Sequence, residues 1–273
     1  ILFISPEQVT PLLTVDNYSR FAFILILLAS IAITLLSSIW LHNDIEVHDE
    51  YFILLQLVVL VAGVLVFSSH FASLFLGFEL LSIALIGLVG YSRSAKYSVE
   101  SAFKYLILSA CASSFMLLGI AFIYSQVGSL YFLDIGLPAL SITNAESNIN
   151  FYNVGFLLFI VGIAFKLSLA PFHLWTPDVY QGAPIPITLL LASVSKVAIF
   201  VVFLRFWFSS EHFTNSNLIN LISLLAIFSM LIGNVLALKQ QNIKRLLAYS
   251  SIAHMGYLVV ILLVLSTESI DLA

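Results

Sequence analysis

Residues 162–196 read GIAFKLSLAPFHLWTPDVYQGAPIPITLLLASVSK. Lys166 lies deep in an apolar run; Pro171, Pro177, Gly182, Pro184 and Pro186 follow, and a second apolar run carries Lys196. In a water-soluble core this would be poor design. In a bilayer, broken helices and ionisable groups are tolerated where protein or a water-filled cavity solvates them. The stretch therefore predicts a helical membrane bundle that moves ions, protons foremost, through its interior.

Composition points the same way. The 273 residues are 61% hydrophobic and 9% charged, against about 25% charge in ordinary globular domains. A net charge of −4 with no basic stripe or charge block gives no reason to expect a nucleic-acid partner. The single Cys111 can form no internal disulfide or cysteine metal cluster and reads as a small helix-packing residue. The chain begins at Ile1 without the basic and apolar regions of a signal peptide, and it reads as a piece of a longer protein.

Working outward from the proline-rich stretch, hydropathy predicts eight spans. They cover about 18–41, 51–68, 71–91 and 99–124, then a fifth from 151 that is interrupted at Pro171. A sixth returns after the prolines and ends near Trp207, and the last two cover about 218–238 and 246–265. Each of the long runs can cross ~30 Å of hydrocarbon at ~1.5 Å per residue. Residues 1–17 read as an extramembrane loop, and 126–150 as the longest polar connection. The small-residue run Ser109 to Ser114 is expected to face neighbouring helices.

The connectors at 42–50, 92–98, 176–183 and 239–245 share one side and hold Arg93, Lys96, Lys239, Lys244 and Arg245. Asp16, Asp134, Glu146, Glu211 and Glu268 fall on the other. The positive-inside rule makes the first side cytoplasmic, or matrix in an organelle.

Once loops and span ends are removed, the ionisable residues inside apolar runs are Glu79, Lys104, Lys166 and Lys196, with His254 as a weaker member. A lysine at a helix centre costs about 2.5–3.5 kcal/mol on insertion scales. Counting from the cytoplasmic ends, Glu79 and Lys196 are each roughly 18 Å deep, while Lys104 is roughly 9 Å deep and close enough to snorkel. Arg205, near a span end, reads as a snorkelling anchor. Lys166 stands just before the helix break, where unwound carbonyls and water can solvate its ammonium group. His173, beside Trp175 in the broken region, is a further relay candidate, although an interfacial histidine is more often structural. Lysines whose pKa values fall on dehydration, with a carboxylate that restores them, can pass protons as their separation changes. The chain carries no GxGxxG, no Walker A motif and no metal-ligand spacing. Any redox driving force is therefore expected from partners.

Four stretches carry a resemblance: SLFLGFELLSIALIGLVGYS (73–92), FKYLILSACASSF (103–115), FKLSLAPFHLWTPDVYQGAPIPI (165–187) and NIKRLLAYSSIAHMGYLVV (242–260). They resemble the subunit N family of bacterial proton-translocating NADH-quinone oxidoreductase, respiratory complex I, whose mitochondrial counterpart is NADH dehydrogenase subunit 2. The wider family holds the other antiporter-like subunits and Mrp-type cation/proton antiporters. Those usually place an Ala-His pair after the broken helix, where this chain has Thr176-Pro177-Asp178-Val179.

The resemblance implies an all-α fold of inverted five-helix repeats, each with a discontinuous helix. Residues 1–50 would then be the N-terminal loop and first span, 51–209 the first repeat or half-channel, and 210–273 the start of an incomplete second repeat. It implies proton translocation with Glu79 and Lys104 as the modulating charged pair, Lys166 as the lysine of the broken helix and Lys196 as the connecting lysine. The family's exit-side lysine has no counterpart in these residues. The resemblance further implies no cofactor in this chain. NADH, FMN, iron–sulfur clusters and quinone would belong to partner subunits of the membrane and redox arms, so the chain would be part of an enzyme without holding its redox site. The expected location is the bacterial inner membrane, or the mitochondrial inner membrane if organellar. Two other functions compete with redox-driven pumping: an Mrp-type antiporter, and a bracing subunit whose buried charges form static pairs.

Overall fold

The computed structural model describes residues 7–41, 49–92, 95–135, 146–209 and 216–271. Arg93, Glu211, most of the 42–50 connector and the middle of the 126–150 connection lie outside the described residues, as do the side chains of Glu146 and Glu268.

Nine helices are described: α1 Asn17–Leu41, α2 Asp49–Phe67, α3 Phe71–Val89, α4 Ser98–Val127, α5 Glu146–Leu167, α6 Trp175–Gly182, α7 Ile185–Ser209, α8 Ser216–Leu238 and α9 Ile243–Asp271. Seven contain a stretch long and apolar enough to cross a membrane, while α5 contributes the shorter apolar segment Phe151–Leu167. The eight predicted spans thus correspond to seven continuous helices and one that stops early, and the chain is an all-α multi-pass membrane protein.

The N-terminal stretch is more ordered than the loop expected from its prolines. A strand β1 (Glu7–Thr10) pairs antiparallel with β2 (Leu13–Val15). The hairpin tip is pinned to the α2–α3 turn, where the Leu12 carbonyl accepts from the Ser69 amide at 3.1 Å and the Ser73 hydroxyl at 3.0 Å. These bonds satisfy backbone groups that the proline-broken stretch cannot pair internally. Asp16 then caps α1 reciprocally. Its carboxylate accepts from the Ser19 amide at 2.8 Å, and the Ser19 hydroxyl accepts from the Asp16 amide at 3.0 Å, a capping box.

The described residues divide into two compact units, one drawn from 1–109 and 178–202 and the other from 110–177 and 203–273. In the first, Tyr51 at the start of α2 meets Tyr91 beyond α3, ring centroids 5.2 Å apart. The Ser98 hydroxyl donates to the Val89 carbonyl, and Gly182 lies against Tyr97 and Ser101. These contacts gather the start of α2, the end of α3, the start of α4 and Gly182 on one side.

In the second unit α4 and α5 cross at small residues. A Cβ on Gly119 would meet the Gly155 carbonyl at 2.5 Å and the Phe159 amide at 2.6 Å. Only glycine permits this approach. The expectation that 109–114 turns wholly inward holds for half of the run: Ser109, Ala112 and Ser113 are buried, whereas Ala110, Cys111 and Ser114 are exposed. A period of 3.6 allows one α-helical stripe to be covered and leaves the next face outward.

Candidate functional site

Lys166 is set by the way α5 ends. The Leu169 amide donates to the Ala164 carbonyl at 2.8 Å and the Ser168 amide to Phe165 at 3.0 Å. Ser168 takes a φ of 64°. This is a Schellman ending with serine in the left-handed position usually held by glycine. The helix therefore stops at Leu167, four residues before Pro171, because a proline removes the amide and crowds the carbonyl four residues back. The Trp175 indole donates to the Phe165 carbonyl at 3.0 Å, and the Ser229 hydroxyl of α8 accepts from the Ala170 amide at 2.8 Å. The break is thereby held by specific bonds.

Lys166 lies in the last turn of α5 and is only 3% exposed, where the helix dipole favours a cation. Ser168 Oγ, His173 Nδ1 and Thr176 Oγ1, all within nine residues of chain, are buried without a hydrogen-bond partner among the described residues. Buried polar atoms of this kind call for small hydrogen-bonding guests such as water. His173 is buried, with its ring 6.5 Å from that of Tyr249. His254 lies on the exposed face of α9, 6.5 Å from the Tyr257 ring.

The other unit holds Glu79, Lys104 and Lys196. Lys196 is 2% exposed and directly follows a π-helical turn, Leu191–Ser195, inside α7. Such turns are rare and frequently mark functional sites; the hydropathy pattern carries no sign of it. The ammonium lies 6.0 Å from the centroid of the Tyr180 ring on α6, at the edge of cation–π range.

Lys104 faces away from its expected partner. Its Nζ is 2.8 Å from Glu100 Oε1, one turn earlier, and 2.9 Å from Asp178 Oδ2 on α6. The next residue, Tyr105, is buried and turns instead toward α3, where its phenol bonds Ser82 and lies near Glu79. One residue of α-helix is a rotation of about 100°, so Glu79 and Asp178 approach α4 on different faces. Glu79 is half-buried, and its Oε1 has no hydrogen-bond partner among the described residues. Asp178, which the sequence offered only as part of a variant motif, is the carboxylate that meets Lys104 across elements. Among the described residues, no group of three or more His, Cys, Asp or Glu could hold a metal ion.

Residues 68–273 match the family model described as NADH:quinone oxidoreductase/Mrp antiporter, transmembrane. A chain of respiratory complex I from Thermus thermophilus, solved with bound aureothin, is similar at 33% identity and a TM-score of 0.75, over 94% of this chain and 53% of that one. A chain of the membrane-bound sulfane sulfur reductase, an archaeal respiratory membrane complex, is similar at 28% identity and a TM-score of 0.77, over 92% of this chain and 50% of its own. This chain thus spans about half the length of the solved chains it matches. The buried lysines beside helix irregularities and the match over most of the sequence lead to one assignment: the chain belongs to the NADH:quinone oxidoreductase/Mrp antiporter transmembrane family.

Proposed function

We propose that this chain is an antiporter-like membrane-arm subunit, of the subunit N type, in a proton-pumping NADH-quinone oxidoreductase of a bacterial inner membrane. The observation that carries this reading is the pair of lysines, Lys166 and Lys196, each more than nine-tenths buried and each adjoining a helix irregularity. Ionisable residues are kept inside spans at a cost of several kcal/mol chiefly where they serve a path. Lys166 and Lys196 take up and release protons as their surroundings hydrate and dry, Glu79 and Lys104 bias them, and His173 and His254 are further relay candidates. Redox chemistry involving NADH, FMN, iron–sulfur clusters and quinone takes place in partner subunits and supplies the drive. Residues 51–209 form the first repeat and 210–273 begin the second.

In the full-length protein assembled in its complex, Lys166→Ala is expected to abolish most NADH-driven proton uptake into vesicles. Wild-type uptake at normal assembly would remove Lys166 from the path.

The family model takes in Mrp antiporters as well, which favours a second reading, in which the same fold serves a cation/proton exchanger of the Mrp kind. Sodium-dependent collapse of a proton gradient in vesicles without NADH distinguishes it.

A further inference from the structure

The last five residues of α6, Asp178 to Gly182, carry contacts to Lys104 and Lys196. On one side Asp178 Oδ2 meets Lys104 Nζ at 2.9 Å, and the Asp178 carbonyl accepts from the Ser101 hydroxyl at 2.9 Å. One turn further along, Gly182 packs so closely on Ser101 and Tyr97 that a Cβ there would come within 2.6 Å of the Tyr97 carbonyl. On the other side Tyr180 presents its ring to Lys196. Its carbonyl accepts from the Thr188 hydroxyl of α7 at 3.2 Å. Residues 178 and 180 thus touch the two lysines through an ion pair and a ring.

We propose that Asp178 is a positioning residue that locks α6 to α4 through Lys104, so that the strength of the Asp178–Lys104 pair sets where Tyr180 stands over Lys196. The inference rests on the proton-transfer reading above and adds a coupling element to it. Glu100 shares the Lys104 ammonium and belongs to α4 itself, so it cannot hold α6. Glu79, half-buried and turned toward Tyr105, stands on another face of α4 and does not compete for the Lys104 ammonium. The side chains of Lys104 and Asp178 are 44% and 34% exposed, so the pair is strong enough to bias α6 and weak enough to open.

The test uses the full-length protein in its assembled complex, with two readouts. Hydrogen exchange of the α6 amides is expected to quicken roughly two- to fivefold in Asp178→Asn, to quicken similarly in Lys104→Gln, and to stay near wild type in Asp178→Glu. Proton uptake per NADH oxidised should fall by a similar factor in the first two variants and recover in Asp178→Glu. Because Lys104→Gln loosens the pair from the other helix, it carries the test if Asp178→Asn does not assemble. Unchanged exchange in both neutral variants overturns the clamp, whatever the pumping does. Faster exchange with wild-type uptake overturns the coupling while leaving the proton-transfer reading to be judged by Lys166→Ala. Loss of uptake that Asp178→Glu does not restore, at wild-type exchange, also overturns the positioning role.

Discussion

Replacing Lys196 by methionine is expected to stabilise the protein and to stop it pumping. Lys196 is the twelfth of the 25 residues of α7, about 17 Å from the first residue and about 20 Å from the last at ~1.5 Å per residue. A four-carbon stem spans only a fraction of either distance, so the ammonium cannot snorkel to an interface. Holding a lysine at that depth costs about 2.5–3.5 kcal/mol, and the Tyr180 ring returns up to about 2 kcal/mol of it in a dry site. Methionine nearly keeps the length of the side chain and removes both contributions, leaving a net gain of roughly 0.5–1.5 kcal/mol. That gain is about a 2- to 13-fold shift in the folded/unfolded ratio. A denaturant titration of the purified full-length protein reads the stability, and NADH-driven proton uptake by vesicles reads the function. Lys196→Arg should keep the charge and fail to pump, because a guanidinium does not release its proton in a protein. Wild-type pumping by Lys196→Met in a normally assembled complex would rule out a proton-carrying role for Lys196. A loss of more than about 1 kcal/mol of stability in the methionine variant would equally show that the ammonium is a structural tie.

Two further perturbations bear on the scaffold. Gly119→Ala places a methyl group against backbone atoms of α5 that no rotamer can clear; overpacking costs about 1–3 kcal/mol, so the thermal midpoint of the full-length protein should drop, and an unchanged midpoint would mean that α4 and α5 separate freely. His70 caps α3 by accepting from the Ala72 amide through Nδ1 at 3.0 Å, and partial burial lowers its pKa below the ordinary value of 6.5. Because the folded form binds its proton less tightly than the unfolded one, this contribution is fully present above pH ~6.5 and is lost as pH falls through the lowered value. His70→Asn, which retains a capping acceptor, should flatten that part of the stability–pH curve; an unaltered curve would show that the cap does not titrate.

Composition and hydropathy alone establish the membrane class and the positions of the spans, and residue counts give the depth expected for the charges within them. Each follows from local composition: a long apolar run can satisfy its backbone in lipid only as a helix, and residue count along that helix measures depth. The sequence also locates the broken helix, since four prolines within sixteen residues cannot continue one. Tertiary structure decided what those charges face. Lys104 meets Asp178 while its neighbour Tyr105 turns to Glu79, because the rotation of α4 is set by which of its faces packs on α3 and which on α6. Interhelical packing of that kind joins residues 74 positions apart, and no local pattern encodes it. The break after α5 is likewise held by the bond from the Ala170 amide to the Ser229 hydroxyl, 59 positions away, and the π-helical turn before Lys196 leaves no mark on the hydropathy pattern.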